Sequence, residues 1–312
     1  MRCKSPLISL IVLSLFWQAL GAEYKFLNVI ATIPEFQATG VRTYDQYAYV
    51  WSDKELRIYT LSNLWQPRLT TAFVSGQPIS DIAVLEPRHL IVCSPEISNT
   101  VTEIDSLNEL GEIFRVETLS CEHIDREGAL LYASDSQKGL EIYDIGKGKL
   151  PQLLSVFSQK WGILDFQARY PFIHALNTYG YVKIDITDTQ NPTSQVVNYE
   201  VTRGTKLCLL RNYVLIADGS TLVIMDLSDS GKPVIVKRFP FAYKINAVQA
   251  QGNDIFVALE KNGLRILDLS NPRKIYEKNS LAVPGGVFSL AVENDRLILA
   301  AGRKGWLIVS YR

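Results

Sequence analysis

Four polar residues of the 312-residue chain have types and spacing that can do chemistry: Asp81, His123, Asp165 and Lys206. They stand 42, 42 and 41 residues apart. Two carboxylates and an imidazole are competent ligands for a divalent ion and competent acid–base groups. Lys206 comes next in the series and is expected to neutralise part of their charge. Two readings stay open for the set. It is either an ion or small-ligand site, or a hydrogen-bonded polar plug that satisfies its own charges. Both require a fold that returns to one place about every 42 residues.

A second group of candidates lies in segments rich in large side chains, such as Gln159-Lys160-Trp161, Glu200-Val201-Thr202-Arg203 and Phe239-Pro240-Phe241-Ala242-Tyr243-Lys244. Trp161, Arg203 and Tyr243 suit a recognition surface, because exposed aromatic and Arg side chains carry much of the energy of binding interfaces. The alternative is that Trp161 and Phe241 pack beneath neighbouring loops. His174 interrupts an otherwise apolar column and reads as a satisfied core histidine. G-x-S-x-G, HExxH and phosphate-cradling glycine loops are missing from the sequence. That argues against an enzyme without excluding one, since a site assembled from several repeats needs no linear motif.

The elements that position these residues are short apolar strands ending on a carboxylate. Leu222-Val223-Ile224-Met225-Asp226 precedes a Ser/Asp/Gly/Pro turn, and Leu264-Arg265-Ile266-Leu267-Asp268 precedes Leu269-Ser270-Asn271-Pro272. Seven such strands end at Thr60, Asp105, Asp144, Asp185, Asp226, Asp268 and Ser310, at intervals of 45, 39, 41, 41, 42 and 42 residues. A second column, ending an upstream strand, holds Trp51, Cys93, Ala133, Ala175, Ala217, Ala258 and Ala300. Its small residues suggest close packing of neighbouring sheets, and Trp51 marks the first repeat as locally different. Counting back from that column gives Gly40, Asp81, His123, Asp165, Lys206, Ala247 and Ser289 as the residues that open an innermost strand. A period near forty with several strands per unit predicts a β-propeller, and the innermost strands of a propeller line its channel. The motif Asp reads as an acceptor for the N–H groups of its own following turn, as in Asx-turns.

These Leu-x-Ile-x-Asp strands, with their Ser-Asn-Pro or Thr-Asp-Thr-Gln-Asn-Pro turns and upstream strands such as Tyr213 to Gly219, resemble the LVIVD-repeat family of β-propellers. The resemblance spans nearly all of the chain after its first residues. Thr60 and Ser310 depart from the motif Asp. The family motif is structural and implies no activity. The expected architecture is all-β: a seven-bladed propeller with four-stranded blades. The chain stops just after its seventh motif strand, so the last blade lacks an outer strand. Tyr24 to Ile33 is expected to supply it and close the ring, which removes an exposed edge.

Residues 1–22 read as a secretory signal peptide, with Arg2 and Lys4 ahead of an apolar run from Pro6 to Leu20 and small residues near position 22. Residues 23–312 then form one domain, secreted or periplasmic, with no integral membrane segment. Lys+Arg and Asp+Glu both count 32, and no basic clustering supports a nucleic-acid partner. Cys93, Cys121 and Cys208 follow the signal segment. An odd number is not a complete disulfide framework. Cys93 and Cys208 suit buried small apolar positions, and a Cys93–Cys121 bridge between adjacent blades is open in an oxidising compartment. CxxC spacing is absent, so nothing supports structural zinc. No cofactor is expected. The functional expectation is a binding module for a protein, glycan or small ligand at the channel mouth. The alternative is a hydrolase or lyase with a polar, metal-assisted site there.

Overall fold

The structure is a computed structural model that describes residues 27–311 other than 76, 87–88, 96–99, 107–108, 116–120, 136–138, 147–150, 159–161 and 230–231. Residues 1–22, expected to be a signal peptide, lie outside the described residues. The described residues form 28 strands, β1 to β28 in chain order, arranged as seven four-stranded antiparallel sheets. Among the described residues no helix is long and apolar enough to cross a membrane. The chain is an all-β propeller of four-stranded blades.

One blade shows how the sequence makes the unit. Strands β18 (Gly204–Leu210), β19 (Tyr213–Asp218), β20 (Thr221–Asp226) and β21 (Val234–Pro240) pair in that order from the channel outward. Side chains alternate across a strand. Leu215 and Ala217 therefore pack with Ile245, Ile255 and Val257 of the following sheet, while Val214 and Ile216 pack with Leu176 and Tyr181 of the preceding one. A strand buried on both faces needs an unbroken apolar run, which is what Tyr213-Val214-Leu215-Ile216-Ala217 provides. Truncating one such residue, Ile224 for example, leaves a cavity that costs about 2–5 kcal/mol.

The carboxylate that ends each motif strand folds back on its own turn. Oδ1 of Asp144, Asp185, Asp226 and Asp268 accepts the N–H of the residue two positions on, at 2.8, 2.8, 2.8 and 2.7 Å. Hydrogen bonds from Thr187 hold the Asp185 carboxyl below its ordinary value. These bonds stop the strand and start the turn, so the motif Asp is spent on local structure.

Seven innermost strands ring the channel: β2 (Gly40–Tyr44), β6 (Asp81–Glu86), β10 (His123–Glu127), β14 (Asp165–Arg169), β18, β22 (Ile245–Gln251) and β26 (Ser289–Glu293). Each packs beside the next, and β26 packs beside β2. The last sheet runs β1-β28-β27-β26. Strand β1 (Leu27–Ile33) pairs antiparallel with β28 (Trp306–Tyr311), so the start of the described chain completes the sheet made by its end. An isolated bridge between Ala38 and Gly302 reinforces the junction.

Trp51 is the exception in the small-residue column, and its partner explains how. It lies opposite Gly40. A Cβ at Gly40 would fall 2.0 Å from the Trp51 ring, so the indole occupies the space of the missing side chain. Cys93 and Cys121 form a disulfide, which joins the second strand of one blade to the approach to the next innermost strand. The bridge closes a loop with a sequence separation of 28, worth about 3–4 kcal/mol of unfolded-state entropy. Cys208 is a free buried thiol, and burial pushes it up to about 12.

Two substitutions test this construction. Removing residues 27–33 exposes the edge of β28, and thermal melting with size-exclusion chromatography is expected to show aggregation and a large drop in Tm. A monomer that melts like the parent would refute closure by β1. Asp226→Ala removes one turn acceptor and is expected to cost about 1 kcal/mol in chemical denaturation, with the folded spectrum retained.

Candidate functional site

Asp81, His123 and Asp165 open β6, β10 and β14, and the ring brings them to one end of the channel. His123 Nδ1 lies 2.5 Å from Asp81 Oδ2, and its Nε2 lies 3.5 Å from Asp165 Oδ1. Lys206 Nζ is 3.2 Å from Asp165 Oδ1. The register differs from the expected column in two blades. His123 lies opposite Ser134 and Asp165 opposite Leu176, one residue beyond Ala133 and Ala175. Elsewhere a bulge shifts the count, at Leu85 in β6 and at Thr205 in β18. Asp81, His123 and Asp165 each open a strand and Lys206 lies two residues inside β18, just past its bulge, and the four side chains converge.

Arg42, on β2, was not among the sequence candidates and completes the arc. Its Nε and Nη2 donate to Asp81 Oδ1 and Oδ2 at 2.9 and 2.7 Å, a bidentate pair, and Nη2 also reaches Ile124 O at 3.1 Å. Nitrogen groups and carboxylates therefore alternate along the arc, from Arg42 through Asp81, His123 and Asp165 to Lys206. Burial alone would raise the Asp81 carboxyl, but the Arg42 guanidinium and His123 overcome it and hold the group well below the usual carboxylate range. Burial acts to lower Arg42, and Asp81 outweighs it. The Asp165 carboxylate raises Lys206 above its ordinary value against the effect of burial.

The same carboxylates also bind backbone. Asp81 Oδ2 accepts Ile124 N–H at 3.3 Å, and Asp165 Oδ2 accepts Leu207 N–H at 2.7 Å, each from the next blade. Gln167 Oε1 accepts Leu209 N–H at 2.7 Å, and Glu127 accepts Tyr170 N–H at 2.8 Å. His123 Nε2 lies 3.2 Å from Phe166 O, and the imidazole meets the Phe166 ring edge-on at a centroid distance of 5.0 Å. Asp125 sits deeper in the channel, where burial raises its carboxyl. Arg42, Asp125 and Gln167 each lie two residues into an innermost strand. A period-2 reading of those strands would have found them on the channel side.

The remaining candidates fall elsewhere. Trp161 lies outside the described residues. Arg203 is exposed on the segment leading into β18, and its N–H donates to Asp218 Oδ1 at 2.8 Å. Tyr243 is exposed on the segment between β21 and β22. Both sit at the end where innermost strands begin, yet neither lines the channel. Phe241 packs against Phe239 and the core. His174 is buried, its Nδ1 lies 2.6 Å from Tyr181 Oη, and burial lowers it to about 4, as befits a satisfied core histidine. Among the described residues no three His, Cys, Asp or Glu side chains are grouped to hold a metal ion.

The channel at this mouth has a volume of about 460 Å³, within the range of small-ligand sites. Its wall is uneven. β2, β6, β10, β14 and β18 supply the charged arc, whereas β22 and β26 supply the uncharged Ala247, Gln249, Ser289 and Ala291, with Phe288 just ahead of β26.

Asp81→Asn breaks the bidentate Arg42 pair in a buried setting and is expected to cost about 3 kcal/mol. The parent should lose stability in acid with a definite sign. A depressed carboxyl contributes fully above its unfolded value of 3.8, and the contribution fades as pH falls below that toward the folded value. Denaturation of parent and Asp81→Asn should therefore converge between about pH 4 and pH 2. Parallel curves across that window would remove Asp81 as the buried partner.

Comparison with known proteins agrees with the strand pattern. The LVIVD repeat model matches residues 206–240 and 244–283. No curated protein matches the sequence. Among solved structures, the computationally designed Ika8 protein superposes with a TM-score of 0.67 at 10% identity, covering 91% of this chain and 99% of its own. Saccharomyces cerevisiae Sqt1 gives 0.68 at 9% identity, with 91% and 99% covered. The Neurospora crassa Pan2 WD40 domain gives 0.69 at 10% identity, with 92% and 95% covered. At these identities the likeness is one of fold.

Proposed function

We propose that this LVIVD-repeat β-propeller, seven-bladed, is a secreted or periplasmic binding module that takes a protein, glycan or small ligand on its channel-mouth face. One observation carries the reading. The groups that looked fit for catalysis are already engaged with the protein itself. Asp81 binds Arg42, His123 and the Ile124 N–H, and Asp165 binds Lys206 and the Leu207 N–H. A general base needs a lone pair facing substrate, and both nitrogens of His123 face protein oxygens. The hydrolase or lyase alternative would have to break this arrangement before each turnover. The mouth, by contrast, stays open, with Lys206, Arg203 and Tyr243 accessible around it. The Cys93–Cys121 disulfide fits an oxidising compartment.

The test is a screen of immobilised glycans and peptides against the purified chain, with each hit re-measured on Arg203→Ala and Tyr243→Ala and, at the opposite end of the blades, on Arg211→Ala. The expected result is at least a tenfold loss for a mouth substitution and none for Arg211→Ala. Loss on Arg211→Ala alone would place binding on the other face. Turnover of ester, phosphoester or glycoside reporters that disappears in His123→Gln would establish the enzyme alternative instead.

A further inference from the structure

We infer that the part of the channel mouth between Lys206 and Phe288 is a subsite for a small amphipathic anion: a carboxylate or phosphate head on a flat apolar body. The inference rests on the channel-mouth reading and names the class of ligand for it.

The charged arc ends unevenly. At one end Arg42 commits the Nε/Nη2 edge of its guanidinium to Asp81. At the other, Lys206 makes one hydrogen bond, to Asp165 at 3.2 Å. An ammonium carries three donors, so two remain. Its side chain is 42% exposed, against 8% for Asp81 and 4% for Asp165. Lys206 thus presents unused N–H groups to the channel beside β22 and β26. The carboxylate beside it raises its affinity for the proton, so it stays charged throughout the neutral range.

The wall that Lys206 faces has the complementary character. Beyond it the channel side of the innermost strands carries no charge, with Ala247 and Gln249 on β22 and Ser289 and Ala291 on β26, while Val248 and Leu290 are buried in the core. Phe288 stands at the rim with 42% of its surface exposed and closes this side of the mouth. Its ring is held by close approach to Gly302, where a Cβ would come within 2.7 Å of it. Ser289 follows Phe288, lies half-buried on the lining, and its hydroxyl has no protein partner among the described residues. Asn246 donates its amide to Val287 O at 2.9 Å, which fixes the side chain across this gap.

A cation with spare donors, a free hydroxyl and an exposed aromatic ring beside an uncharged wall suit an oxyanion joined to a flat ring. The oxyanion would take Lys206 Nζ and Ser289 Oγ, and the ring would lie along Phe288, Ala247 and Ala291. A neutral polar ligand would leave Lys206 unmatched. A polyanion would meet the carboxylates of Asp81 and Asp165 further along the arc.

The experiment uses phenylacetate and phenyl phosphate as probes, with phenylacetamide as the neutral control, read by ligand-observed NMR and isothermal titration on the full folded chain. The anions are expected to bind saturably and the amide at least tenfold more weakly. Phe288→Ala and Ser289→Ala change exposed or half-exposed groups and should keep the parent melting temperature, while each weakens the anions severalfold. Lys206→Gln should remove the preference for anion over amide. Equal binding of amide and acid, an unchanged preference in Lys206→Gln, or no binding of any probe would each overturn the inference. Those outcomes leave the broader mouth reading standing if hits dependent on Arg203 or Tyr243 are found, and remove both if none are.

Discussion

The structure depends on how the free edges of the innermost strands are satisfied. Each innermost strand pairs with one neighbour in its own sheet and leaves its other edge toward the channel. Edge N–H and C=O groups that are not paired must find water or side chains. Around this channel the side chains of the preceding blade supply part of that need. Asp81 takes the N–H of Ile124, Asp165 that of Leu207 and Gln167 that of Leu209. The partners are 42 or 43 residues apart, one repeat, so the same covalent period that stacks the sheets also sews their inner edges.

This constraint explains why the most chemically suggestive residues sit where they do. A carboxylate can accept several hydrogen bonds at once, which suits it to hold a backbone N–H of the next blade and a cation in the channel together. Burying that carboxylate is costly unless it is paired, and Arg42 and Lys206 provide the pairing from either end of the arc. His123 then fits between two anions. The resulting chain of contacts leaves donors over at Lys206. The arc gives way to an uncharged wall on the side of β22 and β26, where Phe288 and Ser289 meet the opening.

Much of the fold was legible because it is written in covalent spacing. The recurring Leu-x-Ile-x-Asp strands, the small residues opposite the innermost strands and the extra strand Leu27–Ile33 all follow from counting. The Asx role of Asp226 and Asp268 was legible from chemistry, since a short acidic side chain before a turn has its own N–H groups within reach. The convergence of Asp81, His123 and Asp165 was legible for the same reason as the blades. Arg42 was missed: period-2 alternation along β2 marks it as channel-facing, but its pairing with Asp81, 39 residues away, shows only in the folded ring. The bulges at Leu85 and Thr205 also escaped, because one inserted residue shifts the register without changing the hydrophobic pattern. Phe288 was not among the sequence candidates, and its place at the channel mouth shows only in the folded ring.

Native-state hydrogen exchange at the Ile124, Leu207 and Leu209 amides probes the inner-edge bonds most directly. If side chains of the preceding blade cap these N–H groups, the three amides should exchange only through global unfolding. Their protection should equal that of core amides such as Ile224, and Asp165→Ala should release Leu207 selectively. Rapid exchange of all three in the parent, at rates typical of solvent-facing edge strands, would contradict the sewn inner edge.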